Sequence, residues 1–190
     1  MNVVLASVSP RREELLKLLI SHFVISPAHV DETALGGEVP EQYVLRLARE
    51  KASAVELDGR LVIAADTTVT VDGLILGKPE DRTDARAMLK RLDGRDHWVH
   101  TAVAVRWQQQ LLSRLVSTRV QFAALSDDLI EAYLETDEPW DKAGGYGIQG
   151  FAGSFVERIE GSYSAVVGLP LLETRELLAE FHMMPEWPAN

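Results

Sequence analysis

The start of the chain changes from a continuous apolar run to an amphipathic pattern, and this change predicts a strand, a loop and a helix. Residues 3–6 are all apolar, as expected of a buried strand. Ser9 is a favourable N-cap, and Pro10 suits the first helical position, where its missing N–H costs no hydrogen bond. The helix is therefore predicted to begin at Pro10, with an apolar stripe of leucines at positions 15, 16, 18 and 19.

The loop before this helix is a candidate anion site. A helix N-terminus exposes backbone N–H groups and the positive end of the helix dipole. Ser7 and Ser9 add hydroxyl groups, and the guanidinium groups of Arg11 and Arg12 offer planar forks of donors that suit phosphate oxygens. Basic residues in a first turn oppose the dipole, which favours a bound anion. The alternative is a plain capped helix with solvated arginines.

A polar segment and a second amphipathic helix follow. Glu32 lies with Asp31 in the polar segment, where the two acids either face solvent or supply oxygen ligands to Mg²⁺ or Mn²⁺. Residues 40–57 have the period of a helix, and Lys51 falls on its apolar stripe. Either the ammonium of this lysine extends to solvent along its methylene groups, or it meets a partly buried anion.

An apolar run over residues 61–65 is typical of a central strand covered on both faces. The run is predicted to end at Asp66, which is followed by two threonines. Open α/β sheets often place chemistry at such strand ends, although some acids there only cap a turn. Asp66 is therefore a candidate catalytic carboxylate.

The next segment predicts a β-hairpin with a two-residue turn at residues 72–73, because Asp-Gly stands between two apolar stretches. Pairing Val71 with Leu74 puts Thr67 opposite Lys78. In this register Asp66 and Lys78 are neighbours at the open end of the hairpin.

Further along the chain, the pattern is that of a scaffold with one glycine-rich loop. Thr83 is expected to cap a helix that ends at residue 94, and Ser126 a helix that runs to residue 134. Strands are predicted at residues 98–107, 111–125, 155–159 and 162–167, a closing helix at 170–181 and a loose tail at 183–190. His97 and His100 lack acidic or cysteine partners at ligand spacing and are assigned structural or surface positions.

The glycine-rich loop covers residues 143–150 and has two interpretations. It is either a flexible connection or a segment whose backbone approaches a ligand closely. Gln149 carries a donor and an acceptor suited to a nucleobase edge. No GK[ST] sequence ends the loop, so it is not a Walker motif.

Composition narrows the function classes. The chain has 190 residues, of which 46% are hydrophobic, so it can bury a core as one domain over residues 1–190 or as two lobes around a cleft. A net charge of -10 argues against a general nucleic-acid binder. The chain contains no cysteine, no apolar run of membrane-spanning length and no signal peptide, which together predict a cytoplasmic protein without a membrane partner.

Six short motifs in order resemble the Maf family of nucleoside triphosphate pyrophosphatases. They are LASVSPRREELL, YVLRLAREKA, AADTTV, GKP, TDEPWDKAGGYGIQG and GSYSAVVGLPL, and they span nearly the whole chain. The resemblance implies an α/β fold with an elongated mixed sheet flanked by helices and two lobes around a central cleft. This fold is similar to that of the inosine triphosphate pyrophosphatases, a Maf/Ham1-like architecture.

The resemblance also implies roles for individual residues. The catalytic carboxylate of the family falls on Asp66, and the acidic residue on the metal side falls on Glu32. The expected cofactor is Mg²⁺ or Mn²⁺, held by Glu32 and Asp66. The substrate-binding residues are expected at Ser7, Ser9, Arg11, Arg12, Lys51 and Lys78.

Three positions distinguish the family branch that prefers dTTP and UTP, and they are matched here by Arg11, Thr67 and Gln149. The expected reaction is metal-assisted attack of water on the α-phosphate, which releases the nucleoside monophosphate and pyrophosphate. CTP and modified pyrimidine nucleotides are further candidate substrates, and a homodimer is a family expectation. The rival functions are a non-catalytic nucleotide-binding regulator of septum formation and a house-cleaning enzyme for modified nucleotides such as 7-methyl-GTP.

Overall fold

A computed structural model describes residues 2–56 and 58–187 and shows a mixed sheet flanked by helices. The sheet has seven strands in the order β2-β1-β3-β5-β6-β7, and β4 pairs with β3. β1 runs parallel to β2 and β3, whereas the pairs on the other side of β3 are antiparallel. The strands are β1 (Val3–Leu5), β2 (Val24–Ile25), β3 (Leu61–Val71), β4 (Leu74–Leu76), β5 (Asp96–Trp107), β6 (Gln110–Phe122) and β7 (Val156–Glu160). The predicted α/β class is confirmed.

Helices cover both faces of the sheet. They are α1 (Pro10–Lys17), α2 (Pro40–Ala54), α3 (Arg82–Leu92), α4 (Asp127–Leu134), α5 (Tyr163–Val167) and α6 (Leu171–Glu180). Alternate residues of β3 point to opposite faces, so Ile63 packs in the cluster that includes leucines of α1 and α6, and Val62 packs in the cluster that includes alanines of α2. A third cluster surrounds the second half of β3, with β4, α3 and α4. The middle of β3 lies between this third cluster and the two clusters that cover the first half of the strand.

The prediction that a strand ends at Asp66 is wrong, because β3 continues through Asp66 to Val71. It is the neighbouring strand β1 that ends, at Leu5, before it reaches the level of Asp66. β1 pairs with residues 61–63 of β3, and β4 pairs with residues 69–71 along the same edge, since β5 occupies the other edge. The edge of β3 between these two partners has no strand beside it, and Asp66 lies in this gap.

The hairpin register is confirmed as far as β4 extends. Val71 pairs with Leu74 and Val69 with Leu76 around the Asp72-Gly73 turn, in which both residues have positive φ. β4 ends at Leu76, however, so the predicted pairing of Thr67 with Lys78 does not form. The chain leaves the strand pair before it reaches Lys78, and Lys78 is exposed.

One predicted helix cap and one predicted element type are wrong. Asp81, and not Thr83, caps α3, since its carboxylate accepts a hydrogen bond from the backbone N–H of Asp84 at 2.8 Å. The predicted strand at residues 162–167 is the helix α5, because Ser162 caps a turn by accepting from the N–H of Ala165 at 3.2 Å. A local cap therefore outweighed a short apolar run.

The predicted loose tail is packed against the first helix over its described part. The indole N–H of Trp187 donates to the carbonyl of Leu18 at 2.8 Å, and the backbone N–H of Glu186 donates to the carbonyl of Leu19 at 2.9 Å. Residues 188–190 lie outside the described residues. The prediction was thus wrong for Glu186 and Trp187, which are hydrogen-bonded to the end of the first helix.

Candidate active site

A cleft of about 930 Å³ opens beside the gap on the edge of β3. Every residue that the family resemblance assigned to catalysis, metal binding, substrate binding or specificity lines this cleft, although the residues come from six separate segments of the chain. They are Ser7, Ser9, Arg11, Arg12, Glu32, Lys51, Asp66, Thr67, Lys78 and Gln149. The structure therefore brings the candidate residues together, which spacing along the sequence did not require.

The first wall of the cleft is the loop between β1 and α1. The hydroxyl of Ser9 accepts a hydrogen bond from the backbone N–H of Arg12 at 3.4 Å and so caps α1, which begins at Pro10 as predicted. The backbone N–H of Ser9 in turn donates to the hydroxyl of Ser7 at 3.2 Å. These local hydrogen bonds direct the N-terminus of α1 toward the cleft.

Arg12 is fixed from three sides. Its Nε donates to the carbonyl of Gly168 at 2.9 Å, and its two terminal nitrogens donate to the hydroxyls of Ser7 and Thr67, each at 3.3 Å. Burial lowers the pKa of Arg12, and the opposing attraction of Asp66 raises it. A guanidinium held in this way presents a fixed positive charge to an anion in the cleft.

Lys51 reaches the gap from α2 and contacts both candidate acids. Its Nζ lies 2.7 Å from Oδ1 of Asp66 and 2.6 Å from Oε1 of Glu32. The side chains of Lys51 and Asp66 are only 10% and 9% exposed, whereas that of Glu32 is 57% exposed. Of the two interpretations of Lys51, the structure therefore supports the meeting with a buried anion. The expected neighbour of Asp66 was Lys78, and the observed one is Lys51.

Burial raises the pKa of Asp66, and the attraction of Lys51 and then Arg12 opposes this shift. A raised pKa means that the carboxylate takes up a proton at a higher pH than an ordinary aspartate does. This side chain is therefore closer than an ordinary aspartate to the pKa of an effective base at neutral pH.

This shift can be measured directly. In the metal-free protein, a pH titration followed by ¹³C NMR of the carboxyl carbons is expected to show Asp66 above the ordinary value of about 3.9 and Asp31 below it. Asp31 is the internal control, because hydrogen bonds from Thr33 lower its pKa. A titration of Asp66 below that of Asp31 would contradict the electrostatics described here.

Glu32 and Asp66 are the candidate ligands for a divalent cation. Glu32 and Asp66 both direct a carboxylate oxygen at one ammonium, so their oxygens are close enough to share a positive charge, and such hard donors suit Mg²⁺ and Mn²⁺. Among the described residues, no group of three or more His, Cys, Asp or Glu side chains converges on a metal position. Two carboxylates fit a Mg²⁺ ion that takes its other ligands from phosphate and water.

The second wall of the cleft is the segment from residue 138 to residue 150. Asp141 forms an ion pair with Arg11 across the cleft, with 3.1 Å between Oδ2 and Nη1. Its other oxygen lies 2.5 Å from Nζ of Lys142. Gln149 is exposed, and its side chain forms no hydrogen bond with any other described residue. The Gln149 amide is therefore available to a ligand.

Sequence reasoning missed several residues of the site. The hydroxyl of Tyr43 donates to the backbone carbonyl of Glu32 at 2.9 Å and so fixes the loop that carries this acid. The hydroxyl of Thr101 lies 3.0 Å from that of Thr67, behind the contact with Arg12. Tyr43 falls within the YVLRLAREKA motif, which was the available signal, whereas nothing local marks Thr101.

The two histidines of β5 have structural positions. His97 is buried, and its Nε2 lies 2.7 Å from the hydroxyl of Tyr146. Burial lowers the pKa of His97 to about 4, so the ring is neutral at pH 7. His100 is buried between the hydroxyls of Thr70 and Ser117. This agrees with the structural role that was predicted for both.

Comparison with known proteins places this geometry in a family. The family described as Maf-like protein matches residues 2–181. The chain belongs to the Maf family. The resemblance to this family that the six motifs indicated is therefore confirmed.

Relatives of this Maf protein share about half of its residues. A protein of Methylobacillus flagellatus named dTTP/UTP pyrophosphatase is 56% identical over 181 residues, which cover 93% of this chain and 90% of the relative. A protein of a Shewanella species with the same name is 51% identical, over 95% of this chain and 98% of the relative. A third with this name, from Anaeromyxobacter dehalogenans, is 54% identical, over 93% of this chain and 92% of the relative.

Solved structures give a more distant likeness. The Ham1 protein of Staphylococcus aureus superposes with a TM-score of 0.46 and 15% identity, over 65% of this Maf protein and 72% of its own chain. A HAM1 protein from Coxiella burnetii gives a TM-score of 0.45 and 18% identity, over 66% and 74% of the two chains. Within the described part of the chain, none of the helices combines the length and hydropathy that a membrane span needs.

Proposed function

We propose that this Maf protein hydrolyses dTTP and UTP to the nucleoside monophosphate and pyrophosphate. The observation that carries the proposal is the meeting of Asp66, Lys51 and Arg12 in one cleft. A fixed acid beside two cations suits the attack of water on a phosphate chain. The relatives named dTTP/UTP pyrophosphatase support the choice of substrate.

In this proposal the first wall of the cleft and two lysines from other segments hold the triphosphate. On the first wall, the N-terminus of α1 donates backbone N–H groups, and the hydroxyls and guanidinium groups of its loop add further donors. Lys51 from α2 and the exposed Lys78, which follows β4, add positive charge from other parts of the cleft lining. The residues assigned to phosphate binding are Ser7, Ser9, Arg11, Arg12, Lys51 and Lys78.

Asp66 is the proposed catalytic base. Its carboxylate accepts a hydrogen bond from a water and takes a proton as the water oxygen attacks the α-phosphorus. The bond from this phosphorus to the bridging oxygen breaks, and pyrophosphate leaves with the bonding electron pair. Arg12 and Lys51 stabilise the negative charge that develops on the leaving group.

Glu32 and Asp66 would hold the Mg²⁺ or Mn²⁺ ion of the proposed reaction. When bound, such an ion neutralises phosphate charge and lowers the pKa of a bound water. Tyr43 holds the backbone of Glu32, and Lys51 keeps the two carboxylates close together before substrate binds.

The specificity of the reaction is assigned to Arg11, Thr67 and Gln149. The free amide of Gln149 has a donor and an acceptor that match the edge of uracil or thymine. The hydroxyl of Thr67 accepts a hydrogen bond from Arg12, so this specificity residue lies beside a residue assigned to phosphate binding. A cytoplasmic location, a homodimer and a single domain over residues 1–190 are expectations that accompany this proposal.

The proposal is tested with the purified full chain, Mn²⁺ and a panel of nucleoside triphosphates. Stoichiometric pyrophosphate and monophosphate from dTTP and UTP are expected, measured by ³¹P NMR after Mn²⁺ has been removed from the quenched reaction with a chelator. Pyrophosphate from modified bases such as 7-methyl-GTP alone would instead indicate a house-cleaning enzyme. Binding of nucleotides by calorimetry without turnover would indicate a nucleotide-binding regulator.

A further inference from the structure

The segment that carries Gln149 is closed by one carboxylate. Glu138 stands at the beginning of this segment, and its Oε2 accepts a hydrogen bond from the backbone N–H of Phe151 at 2.7 Å. Its Oε1 accepts from the N–H of Ala152 and from the hydroxyl of Tyr133, both at 3.1 Å. Glu138 therefore joins the two ends of the segment from residue 138 to residue 152.

Two glycines of the segment make this contact possible. A Cβ atom at Gly150 would lie 2.0 Å from Oε2 of Glu138, which is far inside contact distance. A Cβ at Gly147 would lie 2.6 Å from Cε of Lys142, whose Nζ donates to the backbone carbonyl of Glu138 at 2.7 Å. The lack of a side chain at these two glycines thus leaves room for the observed positions of the Glu138 and Lys142 side chains.

Other contacts hold the first half of the segment. The hydroxyl of Tyr146 forms a hydrogen bond with Nε2 of His97, and the N–H of Gly144 donates to the carbonyl of Gly77 at 2.9 Å. In the second half, Ile148 packs against the core before Gln149, and Glu138 binds the backbone after it. Gln149 has no side-chain hydrogen bond to a described residue, so its position depends on these two flanks.

We propose that Glu138 is a positioning residue for base recognition, because its carboxylate fixes the backbone that presents Gln149 to the cleft. This inference rests on the proposed function, in which Gln149 reads the pyrimidine. Glu138 has no part in binding the phosphates in this proposal. Loss of its charge releases the backbone after Gln149 and leaves the phosphate wall at Arg12 unchanged.

The test is a double-mutant cycle in the full-length protein. Glu138→Gln is expected to lower kcat/KM for UTP and dTTP about tenfold, as for the loss of a charge-assisted hydrogen bond, and mainly through KM. The inhibition constant of inorganic tripolyphosphate, which has no base, is expected to stay within about twofold of the parent value. In a Gln149→Ala background, the further effect of Glu138→Gln is expected to be below about twofold, since both changes remove the same interaction.

Matched variants keep the test decisive. Glu135→Gln changes a nearby exposed carboxylate that binds Arg82, and it is expected to leave both constants unchanged. If Glu138→Gln does not fold, as judged by circular dichroism, Tyr133→Phe removes one hydrogen bond to the same carboxylate without a change of charge. It is expected to lower kcat/KM for UTP and dTTP by about twofold to threefold and to leave the inhibition constant of tripolyphosphate unchanged.

The outcomes separate this inference from the proposed function. The positioning role would be overturned if Glu138→Gln weakened tripolyphosphate inhibition by the same factor as it lowered kcat/KM for UTP. It would also be overturned if Glu138→Gln lowered kcat/KM in the Gln149→Ala background by as much as in the parent. A Gln149→Ala variant that keeps the parent kcat/KM for UTP would contradict base recognition by Gln149, and this inference would fail with it. Turnover of dTTP and UTP by the parent protein would still stand in either case.

Discussion

Replacing Asp66 by asparagine is expected to lower kcat for dTTP and UTP by about 10³-fold or more, within the range for loss of a general base. The substitution keeps the shape of the side chain but replaces the carboxylate, which can take a proton from water, by a neutral amide, which cannot. The site offers no replacement from Glu32, because this acid is 57% exposed and comes from a flanking loop. Initial rates of pyrophosphate release with saturating Mn²⁺ would measure the effect.

The fold of the Asp66→Asn variant is expected to persist. A folded-state pKa above the unfolded value means that the ionised carboxylate lowers the stability of the native state at neutral pH, and that this loss of stability appears as the pH rises through the folded pKa. The melting temperature is therefore expected to remain within about 4 °C of the parent or to rise. Asp72→Asn is the control, since Asp72 is exposed in the hairpin turn and binds Arg95. Full turnover by Asp66→Asn would rule out Asp66 as the base.

Replacing Lys51 by methionine is expected to lower kcat/KM about 10²-fold at pH 7, because a charge-assisted contact to the reacting groups is lost. The same change removes the attraction that opposes burial at Asp66, so the pKa of Asp66 rises further. A base with a higher pKa loses its proton only at higher pH. The acid limb of the pH profile of kcat/KM is therefore expected to move to higher pH.

Two further variants separate charge from packing at Lys51. Lys51→Arg keeps the positive charge, so its acid limb is expected to stay close to that of the parent even where kcat falls. Lys90→Met removes a surface lysine that binds Asp127 on α4 and is expected to change neither quantity. An acid limb at the same pH in Lys51→Met and in the parent would contradict control of Asp66 by Lys51.

The scaffold shows where local reasoning succeeds. The start of α1 at Pro10, the cap of α4 at Ser126 and the Asp72-Gly73 turn all follow from residues within a few positions of each other. The same reasoning failed for residues 162–167, where the apolar run is too short to distinguish a strand from a capped helical turn. It also failed for the tail, whose hydrogen bonds join Trp187 to Leu18 across most of the chain.

The candidate site shows a similar division. Its residue types were readable, because an apolar stripe that contains a lysine and a glycine-rich loop that contains a glutamine are unusual patterns. Their partners were not readable. Arg12 donates to Gly168, Asp141 pairs with Arg11, and Glu138 holds the backbone of residues 151–152. Such contacts depend on which segments the sheet order places side by side.

The sequence by itself determined the start of α1, the cap of α4, the Asp72-Gly73 turn, the motif order and the chemical types of the candidate residues, since these depend on short-range hydrogen bonds and on residue identity. Only the tertiary structure decided that Asp66 lies in an open stretch of a continuous strand and that its partner is Lys51 and not Lys78. The physical reason is that β1 and β4 share one edge of β3 and leave a gap between them. The extent of each strand pairing sets that gap, and no single segment encodes it.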